Sequence, residues 1–257
     1  MIAPVLALSR VDRVLTATLC RPPVNALDAT VIDALQQAID LASADEDIAV
    51  LHLRSDQKAF CAGADLALMH ECFATREGTR NMVVLVERMQ RVFAALENAP
   101  VVSIAEIGGA AIGGGLELAL ACDLRVAATE AKLGLSEARL GLLPAAGGTQ
   151  RLTRVAGVGT AKRLILTAEL VDGREASHLG LVQWCRPRVE LFAFAADLAQ
   201  RIAAHPKAAL VANKRCIAAE SDPWSDGFAE EVAATRRLYQ EAETRRKVVE
   251  FLAGSAR

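Results

Sequence analysis

Three observations predict an α/β fold for this chain. Strand-like and helix-like segments alternate from the N-terminus to about Glu190, the order that builds a sheet covered by helices. The strands are short and the first two read as a hairpin, which fits a stacked strand-strand-helix spiral better than a Rossmann sheet. Beyond Glu190 only helical periodicity remains. The 257 residues therefore divide into a spiral domain, 1–190, and an all-helical region, 191–257.

The elements follow in order. Val5 to Leu8 and Val14 to Leu19 are alternating runs separated by Val11-Asp12-Arg13, a hairpin. Asp28 can cap a helix that carries Val31, Ile32, Leu35, Ile39 and Leu41, closed by Asp45-Glu46-Asp47. Ile48 to Leu53 is a strand. The unit recurs as strand Ala59 to Cys61, helix Thr79 to Leu96 with Val83, Val86, Met89 and Phe93, strand Val101 to Ile104, helix Gly114 to Cys122 and strand Leu124 to Ala127. In the tail, Leu191 to Ala204 stops at His205-Pro206 and Ala208 to Ala219 stops before Asp222-Pro223. Phe228 to Leu252 is amphipathic and highly charged. Such a tail packs on a neighbouring subunit or caps its own domain, and both readings stand.

Composition excludes several roles. The 29 basic and 31 acidic residues are spread along the chain, so no basic patch marks a nucleic-acid partner. The chain is 53% hydrophobic, yet its longest apolar run, Ile107 to Leu116, holds five glycines and is far shorter than the roughly 20 residues of a membrane span. Met1 to Ser9 has no basic leader and no small-residue cleavage site, so no signal peptide is expected. Cys20, Cys61, Cys72, Cys122, Cys185 and Cys216 stand singly. That is the usage of a reduced, cytoplasmic protein, with each cysteine expected as a small buried hydrophobe. His70-Glu71 lacks the second His of a zinc motif, and His52, His178 and His205 are isolated, so no metal site is expected.

The run Gly108-Gly109-Ala110-Ala111-Ile112-Gly113-Gly114-Gly115 lies between a strand and a helix. It is neither a P-loop, because Gly115-Leu116 stand where Lys-Ser/Thr would be needed, nor a dinucleotide fingerprint. What remains is a turn without side chains, whose amides can approach a ligand oxygen as in an oxyanion hole or which simply packs a helix tightly on a sheet. Glu117 sits among Leu116, Leu118, Ala119 and Leu120. There it is a favourable first-turn charge or a functional acid raised by desolvation. Glu137 in Leu135-Ser136-Glu137-Ala138 reads, taken alone, as an exposed acid beside a Ser cap. Lys58-Ala59-Phe60-Cys61-Ala62-Gly63-Ala64-Asp65-Leu66 is a second small-residue turn after a strand.

Together these residues resemble one family. Phe60 to Leu66, Ala111 to Ala119 with Cys122-Asp123, and Glu137 to Pro144 with Gly147 to Leu152 match, in order and spacing, the enoyl-CoA hydratase/isomerase (crotonase) family. Arg21-Pro22 with Val24-Asn25-Ala26-Leu27 fits that family's opening. The resemblance covers nearly the whole chain and implies a crotonase-like spiral with a C-terminal helical trimerisation region.

It further implies an acyl-CoA thioester substrate whose carbonyl oxygen takes backbone N–H bonds from Ala64 and Gly114. Glu117 would be the water-activating base and Glu137 the proton donor of an enoyl-CoA hydratase in fatty-acid or related acyl-CoA degradation. CoA would lie with its adenine near Ala62, Ala64, Asp65 and Leu66, its phosphates near Lys58, and the substrate against Gly113. Helix Thr79 to Leu96, with Met69, Phe73, Met82 and Leu85, would wall the acyl tail. No metal or redox cofactor is implied, and the assembly would be a homotrimer or a dimer of trimers. An enoyl-CoA isomerase on the same site, or a non-catalytic acyl-CoA-binding protein, are the alternatives. Gly108-Gly109 replaces the family's common Asn-Gly, Pro100 to Gly113 is slightly long, and Leu238 to Lys247 lacks the frequent acidic-Gly pattern.

Overall fold

A computed structural model describes residues 4–255. The first three residues of the stretch Met1 to Ser9, and the last two of the tail, lie outside the described residues. Strands β1 (Leu6–Val11) and β2 (Val14–Leu19) form the expected hairpin, antiparallel, with Val11 opposite Val14. Helix α1 (Ala29–Ala44) begins where Asp28 accepts a hydrogen bond from the Val31 amide, a side-chain N-cap. Val31, Ile32, Leu35 and Ile39 are buried on its inner face. Leu41 falls off that face and is exposed, and Ala42 enters the core instead.

Next come β3 (Val50–Ser55), α2 (Leu66–Cys72), α3 (Arg76–Asn98), β4 (Val102–Ile107), β5 (Ala111–Ile112), α4 (Gly114–Leu120), β6 (Leu124–Ala128) and β7 (Lys132–Gly134). A 3-10 turn at Glu137–Leu140 precedes α5 (Gly148–Thr167), β8 (Val171–Asp172), α6 (Gly173–His178) and β9 (Trp184–Arg186). The predicted strand Ala59 to Cys61 is not formed; Cys61 alone bridges Ala111 before the chain turns into Ala62 to Ala64. Two sheets result. One runs β1-β2-β3-β4-β6-β9, parallel after the opening hairpin, and the other runs β5-β7-β8. The chain steps between them, β4 to β5 and β6 to β7, which is the spiral the short strands predict. Val50 to Leu53 and Ser103 to Ile107 are buried throughout, as strands covered on both faces must be.

The tail begins with α7 (Arg188–Ala203), which lies across β2, β3, β4, β6 and β9 and buries Leu191, Ala195, Leu198 and Ala199. Then follow α8 (Lys207–Ala219), α9 (Gly227–Leu238) and α10 (Ala242–Ser255). The single helix predicted from Phe228 to Leu252 is thus two. The chain breaks at Tyr239 to Glu241, where Arg245 Nε donates to the Tyr239 carbonyl at 2.9 Å. Of the cysteines only Cys61 and Cys122 are buried, and burial pushes their thiols up to about 12; the other four are half-buried. No helix of the described residues is long and apolar enough to cross a membrane.

Candidate active site

The turn after β3 is built from the segment 21–27. Asn25, fully buried, donates from Nδ2 to the Phe60 carbonyl at 2.9 Å and to Ser55 Oγ at 2.7 Å. The Ala62 amide donates to Val24 O, Leu27 N donates to Gly63 O, and Asp65 N donates to Leu27 O. In this parallel bridge residue 64 lends no group to its neighbour, because both bonds go to the flanking residues. The Ala64 amide is therefore left over, and none of the described residues accepts from it.

The second turn joins β5 to α4. Gly113 takes φ +55 and ψ −128, a conformation open to glycine and hardly to anything else. Gly114 is the first residue of α4, so its amide has no acceptor one turn back. The two turns abut without side chains between them. A methyl group placed on Gly63 would lie 2.9 Å from the Ile112 carbonyl oxygen and 3.3 Å from the Gly114 nitrogen. A methyl on Gly115 would sit 2.0 Å from the Cys61 carbonyl oxygen. The glycine run thus packs backbone on backbone, and the two turns it brings together carry the Ala64 and Gly114 amides, from which no described residue accepts.

Glu117 lies one turn along α4, its amide donating to Gly113 O at 3.0 Å. The residue is 2% exposed, and its Oε1 accepts from the Gly148 amide at 2.7 Å. Burial pushes its carboxyl up to about 7; the Gly148 bond works against that rise and the charge of Glu137 adds to it. Glu137 opens the 3-10 turn after β7 and is half-buried, not the exposed acid its local sequence suggests. Its Oε2 is buried with no hydrogen-bond partner among the described residues. Burial raises its carboxyl too. A methyl on Gly113 would lie 3.0 Å from Glu137 Oε1, so the second acid touches the turn that carries the Gly114 amide.

Both glutamates, Ala62, Ala64, Leu66, Gly113 and Gly114 line one cavity of about 710 Å³. The expected wall residues Met69, Phe73 and Met82 line it, whereas Leu85 is packed in the core. Val83 faces the cavity and not the core, and Val86 and Met89 join it. Leu140, Leu142 and Leu143 form a further part of the wall that the sequence reading missed. Their signal was there, as a run of apolar residues too short and too glycine-rich for a helix. Gln90 Nε2 donates to the Ala145 carbonyl at 2.6 Å and so ties α3 to that wall.

Two expected CoA contacts stand apart. Lys58 is exposed and does not line the cavity. The Asp65 carboxylate is committed to the Ala67 and Leu68 amides and to Arg21. Among the described residues no three His, Cys, Asp or Glu side chains are grouped to hold a metal ion. The arrangement can therefore hold a carbonyl oxygen on two amides while two carboxyls work beside it in a largely apolar cleft.

A family model described as Enoyl-CoA hydratase/isomerase matches residues 10–253. The mouse mitochondrial methylglutaconyl-CoA hydratase is 43% identical over 159 residues, covering 62% of this chain and 49% of that protein. Human mitochondrial enoyl-CoA hydratase domain-containing protein 2 is 44% identical over 179 residues, 68% of this chain and 60% of that protein. The chain thus spans about half the length of the first curated relatives it matches. Among solved structures, Pseudomonas aeruginosa DspI superposes with a TM-score of 0.90 at 36% identity, covering 98% of this chain and 95% of that one. An enoyl-CoA hydratase from Bacillus anthracis gives 0.91 at 31% identity, with 97% and 96% covered.

Proposed function

Because the chain belongs to the enoyl-CoA hydratase/isomerase family, we propose that it is an enoyl-CoA hydratase, adding water reversibly and syn across a trans-2-enoyl-CoA to give the 3-hydroxyacyl-CoA. The observation that carries this reading is the meeting of Glu117 and Glu137 in one cavity beside two unpaired amides.

The thioester oxygen would sit between the Ala64 and Gly114 amides. As water oxygen bonds to C3, the C2–C3 π pair moves toward the thioester and negative charge gathers on that oxygen. Fixed donors in a dry site favour this state over the ground state, and one such donor is worth about a hundred- to a thousandfold in rate. Glu117 takes the proton from the attacking water and Glu137 gives one to C2, so atoms and charge balance without metal or redox cofactor. Burial raises both carboxyls, which favours a pair that shares one proton over a doubly ionised pair. We propose the working assembly as a homotrimer or dimer of trimers, in fatty-acid or related acyl-CoA degradation.

The test is the loss of enoyl-thioester absorbance across short, medium, branched and aromatic trans-2-enoyl-CoAs. Turnover is expected, and it should fall by about 10²- to 10⁴-fold in both Glu117→Gln and Glu137→Gln. Activity on 3-enoyl-CoAs alone would replace hydration with isomerisation. Binding without turnover across the series would leave an acyl-CoA-binding protein.

A further inference from the structure

The opening motif Arg21-Pro22 does not line the cavity, yet its guanidinium grips both sides of the first donor turn. Arg21 Nη1 donates to the Ala26 carbonyl at 3.1 Å, and Nη2 lies 2.7 Å from Asp65 Oδ2 and 3.2 Å from Asp28 Oδ2. Each carboxylate divides its oxygens. Asp65 Oδ1 accepts from the Ala67 and Leu68 amides, and Asp28 Oδ1 accepts from Val31. One cation thereby joins the N-caps of α2 and α1 and the Ala26 carbonyl, two residues ahead of the α1 cap. The Arg21, Asp65 and Asp28 side chains are 25%, 19% and 20% exposed, so the contacts are sheltered from water and screened less than a surface pair.

Asp65 directly follows Ala64. On the other side stands Gly63 at φ +95, a residue with no side chain to restrain its rotation. The plane of the Gly63–Ala64 peptide is therefore held by its neighbours. Leu27 fixes the Gly63 carbonyl and the Asp65 amide, and Arg21 fixes the Asp65 carboxylate against Ala26, the residue before Leu27.

We propose that Arg21 is a positioning residue: by clamping Asp65 to the 26–28 segment it aims the Ala64 amide at the thioester oxygen. The proposal rests on the hydratase reading for its kinetic readout and on acyl-CoA binding alone for its spectroscopic one. Arg21→Gln removes the charge, Arg21→Lys keeps the charge without the fork, and Asp65→Asn keeps an acceptor for the helix cap. Misplacing one donor should lower kcat about ten- to a hundredfold in Arg21→Gln and in Asp65→Asn, with KM changed less than about threefold. The double variant should be little worse than either single one, since both break one clamp. Arg21→Lys should recover part of the loss.

The second readout uses a conjugated aryl-enoyl-CoA. Its thioester absorbance should shift to the red on binding wild-type protein, and the shift should shrink at saturation in Arg21→Gln and Asp65→Asn. A folded Arg21→Gln with wild-type kcat and a full red shift overturns the proposal. So does a wild-type protein that binds the probe with no shift. A wild-type shift that is lost in the variants, in a protein that turns over no enoyl-CoA, upholds the clamp and removes the hydratase reading. If Arg21→Gln does not fold, Asp65→Asn decides by the same two measurements.

Discussion

Burying the Glu117 carboxyl costs stability, and the sign of that cost is measurable. The carboxyl stands at about 7 in the folded protein against 4.5 without the fold, so the native state binds the proton more tightly than the unfolded chain. The corresponding stability is complete below about pH 4.5 and is lost as pH rises through 7, a fall of about 3 kcal/mol. Glu117→Gln keeps an oxygen for the Gly148 amide and carries no charge. It should be inactive, match wild type in thermal melts near pH 4.5, and melt at a higher temperature than wild type at pH 8. At this scale the sequence was informative in uneven ways. Glu117 drew attention because a carboxylate among leucines is costly. Glu137 looked exposed from its neighbours, because what buries it is the Gly113 turn of another strand. The Gly148 amide on Glu117 was invisible, being a backbone group that folding brings from 31 residues away.

Elements were legible where their signal was local. The hairpin, the capped α1 and the strands β3, β4 and β6 follow from alternation, an N-cap residue and apolar runs. Ala59 to Cys61 misled, because one bridge to Ala111 gives the same small apolar pattern as a strand. Leu85 misled for a related reason, since a residue lining the cavity and one packed in the core are spaced alike along α3. The contact between the two donor turns is a property of whole elements and yields its own prediction. Gly115→Ala would drive a methyl group to 2.0 Å from the Cys61 carbonyl oxygen, and backbone cannot yield as a flexible side chain does. The turns must separate. We expect a loss of stability of about 1–3 kcal/mol, the range for overpacking, seen as a lower midpoint in urea, together with a fall in kcat in the folded fraction. A variant with unchanged midpoint and kcat would mean that the turns do not need to touch.

At the scale of the molecule, the apolar excess of the composition has two destinations. One is the core around the parallel strands; the other is the surface of the last three helices. Trp224 is 96% and Phe228 84% exposed, and Ile217 and Tyr239 are exposed with them, more than a lone chain ordinarily shows to water. We expect self-association, with a mass by light scattering of three or six chains and a blue shift of Trp224 emission in a Trp184→Phe background. A monomer at micromolar concentration would refute it. The periodicity of the tail could not choose between a neighbour and its own domain, because α7 does cover its own sheet while α8 to α10 bury almost nothing. The cavity carries one more consequence. Met1 apart, the methionines of this chain are Met69, Met82 and Met89, and all three line that cavity. Peroxide would turn their thioethers into sulfoxides, polar and chiral where the acyl tail of the proposed substrate would need an oily wall. Under oxidative stress the protein should lose its longer substrates before it loses its fold, and a sulfoxide reductase should give them back.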